Sequence, residues 1–86
     1  MFVTRSAQRH GWDPEDIRWA VDHAFRSVEV ETNQPEVGTG VLSLGPAQDG
    51  RLLEVLVIMN GDGDELAIHA MALRPAYRRL LVEGPR

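Results

Sequence analysis

Histidine and arginine carry most of the reactive potential of this chain. There is no cysteine, which removes thiol nucleophiles, disulfides and cysteine-based zinc sites together. The three histidines, His10, His23 and His69, are too scattered to argue for zinc. An imidazole titrates near neutral pH, however, and so suits proton transfer. All nine basic residues are arginine. Such a bias is what a GC-rich genome produces, and it leaves planar, two-pronged guanidinium groups as the only permanent side-chain cations.

Other recognisable chemistry is excluded. The string Asn60-Gly61-Asp62-Gly63-Asp64-Glu65 has calcium-loop residue types without the spacing or flanking helices of that loop, so a hairpin turn is expected. Gly38-Thr39-Gly40 and Gly61-Asp62-Gly63 are not phosphate loops, because neither leads into a helix carrying the required Lys-Ser/Thr. No metal and no cofactor is expected.

The net charge of −4 argues against a general nucleic-acid binder, but the charge is unevenly distributed. Residues 1–28 balance four arginines with four acids, and residues 29–65 carry eight acids against Arg51 alone. Residues 66–86 carry Arg74, Arg78, Arg79 and Arg86 against Glu83. A basic end on an acidic protein can still form a local anion site.

The elements that must position these groups are legible from local signals. Asp13-Pro14-Glu15-Asp16 opens a helix, with Asp as cap, Pro in the first turn and acids at the positive end of the dipole. Behind it Ile17, Ala20, Val21, Ala24 and Phe25 form one apolar stripe. Trp19 neighbours the stripe and is expected in the core, and Trp12 is expected to staple the start of the helix. Residues 4–9 read as a shorter first helix that His10-Gly11 stops.

The period then changes. Val28 and Val30 alternate with Glu29 and Glu31 as an edge strand, and residues 32–36 make a loop. Residues 41–44 form a second strand. Residues 52–59, the most apolar run, form a central strand after the Asp49-Gly50 turn, and residues 65–71 complete the meander. Pro75 introduces a closing helix over 76–81 with Leu80 and Leu81 inward, and residues 82–86 are expected to fray. The predicted fold is one α+β domain spanning residues 1–86. It has two N-terminal helices, an antiparallel sheet of three to four strands, and a short C-terminal helix, with the helices gathered on one face. No stretch is long enough for a membrane span, and the polar start lacks the apolar region of a signal peptide. The cytoplasm is the expected location.

The order of these segments and three of their strings resemble the BrnT family, toxins of bacterial type II toxin–antitoxin pairs whose fold belongs with the RelE-like ribonuclease toxins. The strings are Arg9-His10-Gly11-Trp12-Asp13-Pro14-Glu15-Asp16-Ile17, then Leu44-Gly45 through Asp49-Gly50-Arg51 into the strand at 52–55, and finally Glu65 through Met71 followed by Arg74 to Arg79. The likeness spans about residues 6–81. Two positions depart from the family pattern. Met71 stands where the family's last strand carries an arginine, and Tyr77 precedes Arg78 and Arg79 instead of closing the arginine cluster.

The resemblance implies a metal-independent endoribonuclease held inactive by a cognate antitoxin. Such a reaction needs a base for the 2′-hydroxyl, cations for the phosphate and an acid for the leaving 5′-oxygen. His69 and His10 are the candidate proton carriers, and Arg74 the catalytic cation. Arg9, Arg78 and Arg79 are candidate RNA phosphate ligands, and Tyr77 a donor or base-stacking surface. Each has a structural alternative. His10 can simply end a helix, and His69 can pack or lie on the surface. Arg74 can cap or pair with Asp16 or Glu83, and Arg78 and Arg79 can form a solvated helix face. His23 is expected at the surface. The competing function is a non-catalytic toxin homologue, a protein-binding module that pairs with a partner or with itself as a homodimer. The acidic middle segment and Met71 favour that alternative.

Overall fold

The computed structural model describes residues 1–35 and 37–83. The elements, in order, are strand β1 (Phe2–Val3), a short 3-10 turn (Ser6–Gln8), helix α1 (Pro14–Asp22), strands β2 (Arg26–Glu31), β3 (Thr39–Pro46), β4 (Leu52–Met59) and β5 (Glu65–Ala72), and helix α2 (Pro75–Glu83). Helix α2 thus includes the first two residues of the expected tail. Glu36 of the expected loop and residues 84–86 lie outside the described residues.

The α+β class holds, but the expected arrangement does not. One α-helix, not two, lies ahead of strands β2 to β5, and it follows β1. Residues 4–9 form only the single 3-10 turn, because the chain ahead of them is committed to the sheet: β1 pairs in parallel with β5 through Phe2–Leu66 and Val3–Ala67. Thr4 extends this anchor, its backbone N–H and its hydroxyl both donating to Ala67 O, at 3.0 and 2.8 Å. Six residues with their first end tied to a strand are too few to offset helix nucleation. The sheet is correspondingly five-stranded and mixed, in the order β1-β5-β4-β3-β2, with β4 at its centre and β2 at an edge.

Helix α1 begins as its residues dictate. Asp13 Oδ1 accepts the Glu15 N–H at 2.8 Å, and Pro14 occupies the first turn. It ends at Asp22, so Ala24 and Phe25 drop out of the expected stripe. Phe25 is 65% exposed, and its N–H donates to Leu44 O as the chain enters β2. Trp19 is not a core residue either: it is 41% exposed and stacks on the His23 ring four residues on, centroids 4.0 Å apart. Ile17 and Ala20 are fully buried. The helix seats directly on the sheet at Gly45, where a Cβ atom would collide with the Ala20 carbonyl oxygen.

The two helices cover opposite faces of the sheet, not one. On the first face α1 packs Ile17 and Ala20 with Val3, Leu53, Val55, Val57, Ala67 and Ala70. On the second, Tyr77, Leu80 and Leu81 of α2 pack with Leu42, Leu44, Leu52, Leu56 and Leu73, joined by Val28 and Val30 of β2. The assignment of β5 residues to faces turns on an irregularity: Val57 pairs with Ala67 but Leu56 pairs with His69. An extra residue, Ile68, breaks the alternation. Ala67 therefore faces α1, and His69, two residues on, does not. His69 lies on the α2 side, close to Glu54.

Candidate active site

Glu54 organises the α2 face. It sits in the most apolar strand and is fully buried, and a carboxylate there is costly unless every oxygen is paired. Three donor groups meet it. The Arg74 guanidinium places Nη2 2.7 Å and Nε 2.9 Å from Oε1. The Arg74 backbone N–H donates to Oε2 at 3.2 Å. His69 Nε2 lies 3.3 Å from Oε1. Arg74 thus pairs with Glu54, a partner the sequence reading did not name, and not with Asp16. Asp16 Oδ1 instead accepts the Gln48 N–H at 2.9 Å.

These bonds have local causes. Glu54 and Met71 are register partners across β4 and β5, and His69 lies two residues before Met71 on β5, so Glu54 and His69 project on one side of the sheet. Leu73, just after β5, donates its N–H to Leu52 O. That bond carries the chain past the start of β4 and delivers Arg74 to Glu54 as α2 begins at Pro75. The Glu54 carboxylate bonded to Arg74 raises that guanidinium's pKa above its ordinary value. The arginine contribution is present below the unfolded-state value and would be lost only at strongly alkaline pH.

The pair opens onto a shallow pocket lined by Glu54, His69, Arg74, Tyr77, Leu56, Leu42, Val30 and Glu31. The Arg74 guanidinium carbon lies 5.1 Å from the Tyr77 ring centroid, in cation–π range. His10 approaches from the other side. The turn that carries it runs along β5, where Ser6 Oγ donates to Ile68 O at 2.6 Å, and Gly11 at φ 85° closes that turn with an N–H bond to Gln8 O. The His10 and His69 rings meet edge to face with centroids 6.2 Å apart.

Two adjoining depressions extend the site. One is lined by His10, Gly11, Trp12, Arg51, Met71 and Ala72, the other by Trp12, Arg51, Leu52, Ala72, Leu73 and Arg78. In both, Arg51 stands over the Trp12 ring at 4.5 Å from its centroid, held at its other side by Asp49 Oδ2, 2.7 Å from Nε. The band running from Tyr77 to Trp12 carries two histidines, three arginines and two arginine–aromatic pairs.

Of the residues expected from sequence, His69, His10, Arg74 and Tyr77 come together, and Arg78 lines the adjoining depression. Arg9 and Arg79 are exposed and line none of these pockets. His23 is exposed, with Nδ1 2.9 Å from Trp19 O at the end of α1. Sequence reasoning missed Glu54, Arg51 and Trp12. The one signal available for Glu54 was a lone charge inside an apolar run. Among the described residues no group of three or more His, Cys, Asp or Glu side chains could hold a metal ion, and no helix is long and apolar enough to cross a membrane.

No protein-family model, curated protein or solved structure matches the chain. Its functional reading rests on the geometry of this site and on the short strings within the sequence.

The arrangement supplies the parts for metal-free proton transfer beside an anion. With Glu54 accepting from Nε2–H, the His69 ring holds its other nitrogen, Nδ1, as an acceptor. The same contact fixes the orientation of the ring, as the acid of a catalytic triad does for its histidine. His69 is one-third exposed, enough for a substrate hydroxyl to reach it.

Proposed function

We propose that this chain is the toxin of a bacterial type II toxin–antitoxin pair and cleaves RNA without a metal ion. The observation that carries the reading is the buried Glu54 carboxylate bonded to both His69 and Arg74 at the floor of an open pocket. The resemblance of its short strings to BrnT-type toxins adds to it. His69 Nδ1 takes the proton of a 2′-hydroxyl, and the 2′-oxygen attacks the adjacent phosphorus. The bond to the 5′-oxygen breaks and His10, as imidazolium, protonates the departing oxygen. The products are a 2′,3′-cyclic phosphate and a 5′-hydroxyl. Arg74 and Arg78 hold the non-bridging oxygens, and Tyr77 and Trp12, each backed by an arginine, offer faces on which bases stack.

The alternative, a protein-binding module without catalysis, is favoured by one feature of the same site. Glu54 neutralises Arg74, and Met71 adds no charge where a second cation would restore the balance. Inducible expression of the chain without its partner gene, scored for growth and RNA integrity against His69→Ala, separates the two. Growth arrest with RNA cleavage that His69→Ala abolishes supports the nuclease. Normal growth with intact RNA and soluble protein moves the reading to the binding module. The cytoplasm is the compartment in which either role would be exercised.

A further inference from the structure

The α1 face of the sheet is only half covered. Nine residues of helix extend about 13 Å, whereas the eight-residue strands β3 and β4 extend about 26 Å. Helix α1 occupies the end near the Asp49-Gly50 turn, with Ala20 against Gly45 and Asp16 bonded to Gln48 N. Toward the start of β3 and the end of β4, no other helix lies over the strands among the described residues. An open groove remains there, with Val21 of α1 as one wall and Val41, Val57 and Met59 as its floor. Val41 is 40% and Met59 60% exposed. Glu29 of β2 and Glu65 of β5 stand at its two margins, and among the described residues no arginine lines it.

We propose that this groove docks a basic amphipathic helix of a partner protein. An apolar stripe would lie on Val41, Val57 and Met59, with its cations against Glu29 and Glu65. The space lies alongside α1 on the same sheet face, and a helix there, 8–10 Å from α1 between axes, completes a layer that α1 leaves half built. Charge selects the occupant. Two carboxylates and no cation disfavour RNA and acidic segments, and they favour Lys and Arg flanking an apolar stripe. Helix α1 of a second copy fits less well, because its one arginine, Arg18, is already paired with Glu15 and its exposed side also carries Asp22. The inference is independent of the nuclease reading. Its surface is on the opposite side of the sheet from His69, so a partner held there leaves the α2 face open.

The test is a fluorescein-labelled synthetic helix of about four turns, with leucines at i, i+3, i+4 and i+7 positions and arginines elsewhere, titrated with the full chain. A counterpart with glutamates replacing the arginines is run beside it, and the binding surface is mapped by amide chemical shifts. The arginine peptide is expected to bind saturably, at least tenfold tighter than the glutamate peptide, with shifts confined to β3, β4, the end of α1 and the flanking Glu29 and Glu65. Met59→Asp is expected to weaken binding about tenfold. That variant adds a negative charge, so nonspecific attraction of a basic peptide would strengthen instead. Met59 is exposed, and an unchanged unfolding midpoint confirms that the fold is kept. Absence of saturable binding overturns the proposal. So does equal or tighter binding by Met59→Asp, shifts on the His69 face, or a homodimer in sedimentation that covers Met59.

Discussion

Arg74 and Glu54 form an ion pair in which one partner is half exposed and the other fully buried, Nη2 to Oε1 at 2.7 Å. The asymmetry decides what its loss would do. Removing Arg74 leaves a carboxylate inside the α2 face with only a backbone N–H and His69, a defect worth about 3–5 kcal/mol where no water can enter. The open pocket admits water, so Arg74→Ala is expected at the low end of that range, about 3 kcal/mol. Replacing both partners, as Glu54→Leu with Arg74→Met, is expected to be neutral or stabilising. Urea midpoints of the two variants should therefore move apart. Equal destabilisation by both would mean that the pair's net attraction, not the unpaired carboxylate, is what matters.

The same carboxylate gives the proposed chemistry a positioning residue. His69→Ala is expected to lower RNA cleavage by about 10²–10⁴-fold. Glu54→Gln keeps a hydrogen-bonding side chain in place but removes the charge that holds Arg74 beside the oriented His69 ring. Cleavage by Glu54→Gln should fall mainly in kcat, while KM changes little. Cleavage assays over a range of short-RNA concentrations read both. A loss confined to KM would place Glu54 in RNA binding alone.

The extent to which the site was legible follows from where its parts lie in sequence. Helix α1, β4 and β5 announce themselves through caps, apolar runs and turn residues, because their local preferences agree with their tertiary surroundings. Residues 4–9 misled because their fate is set by β5, over sixty residues away, through Phe2, Val3 and Thr4. His69 and Arg74 stood out as residue types beside a strand end. Glu54 did not, since a lone glutamate in an apolar strand reads as an outward-facing charge until Arg74 is seen to reach it. The two-sided placement of the helices was equally hidden. Continuous apolar character in β4 is what burial on both faces produces, and only the flanking glutamates of β2 pointed toward an open edge.

Two glycines outside positive-φ turns separate close packing from mere turn chemistry. At Gly45 any Cβ meets the Ala20 carbonyl oxygen, which is backbone and cannot rotate away, so Gly45→Ala must lift α1 from β3. The expected cost is about 3 kcal/mol, the upper part of the range for overpacking. Gly61 has open space at the same position, and Gly61→Ala is expected to stay within about 0.5 kcal/mol of the parent. Thermal unfolding of the two variants tests the contrast. A mild Gly45→Ala would show that α1 can slide along the sheet without loss.

Asp49 joins the hairpin turn to the Trp12 side of the site, and its protonation should be felt there. Its carboxylate accepts the Arg51 backbone N–H at 3.0 Å as well as the guanidinium, and the backbone bond leads in holding its pKa below the ordinary 3.8. A carboxyl whose pKa is lower in the folded state contributes stability above its unfolded-state value, and that contribution is lost as pH falls through the folded value. Wild-type protein should therefore exceed Asp49→Asn in stability near neutral pH and converge on it in acid, below the ordinary carboxylate range. Trp12 fluorescence gives a local reading if Trp19 is first replaced by Phe, which its exposed position allows. In that background the Arg51 contact with Trp12 should loosen over the same acid window, and Asp49→Asn should show the loosened signal at every pH. A Trp12 signal flat through that window in the parent would detach Asp49 from the placement of Arg51.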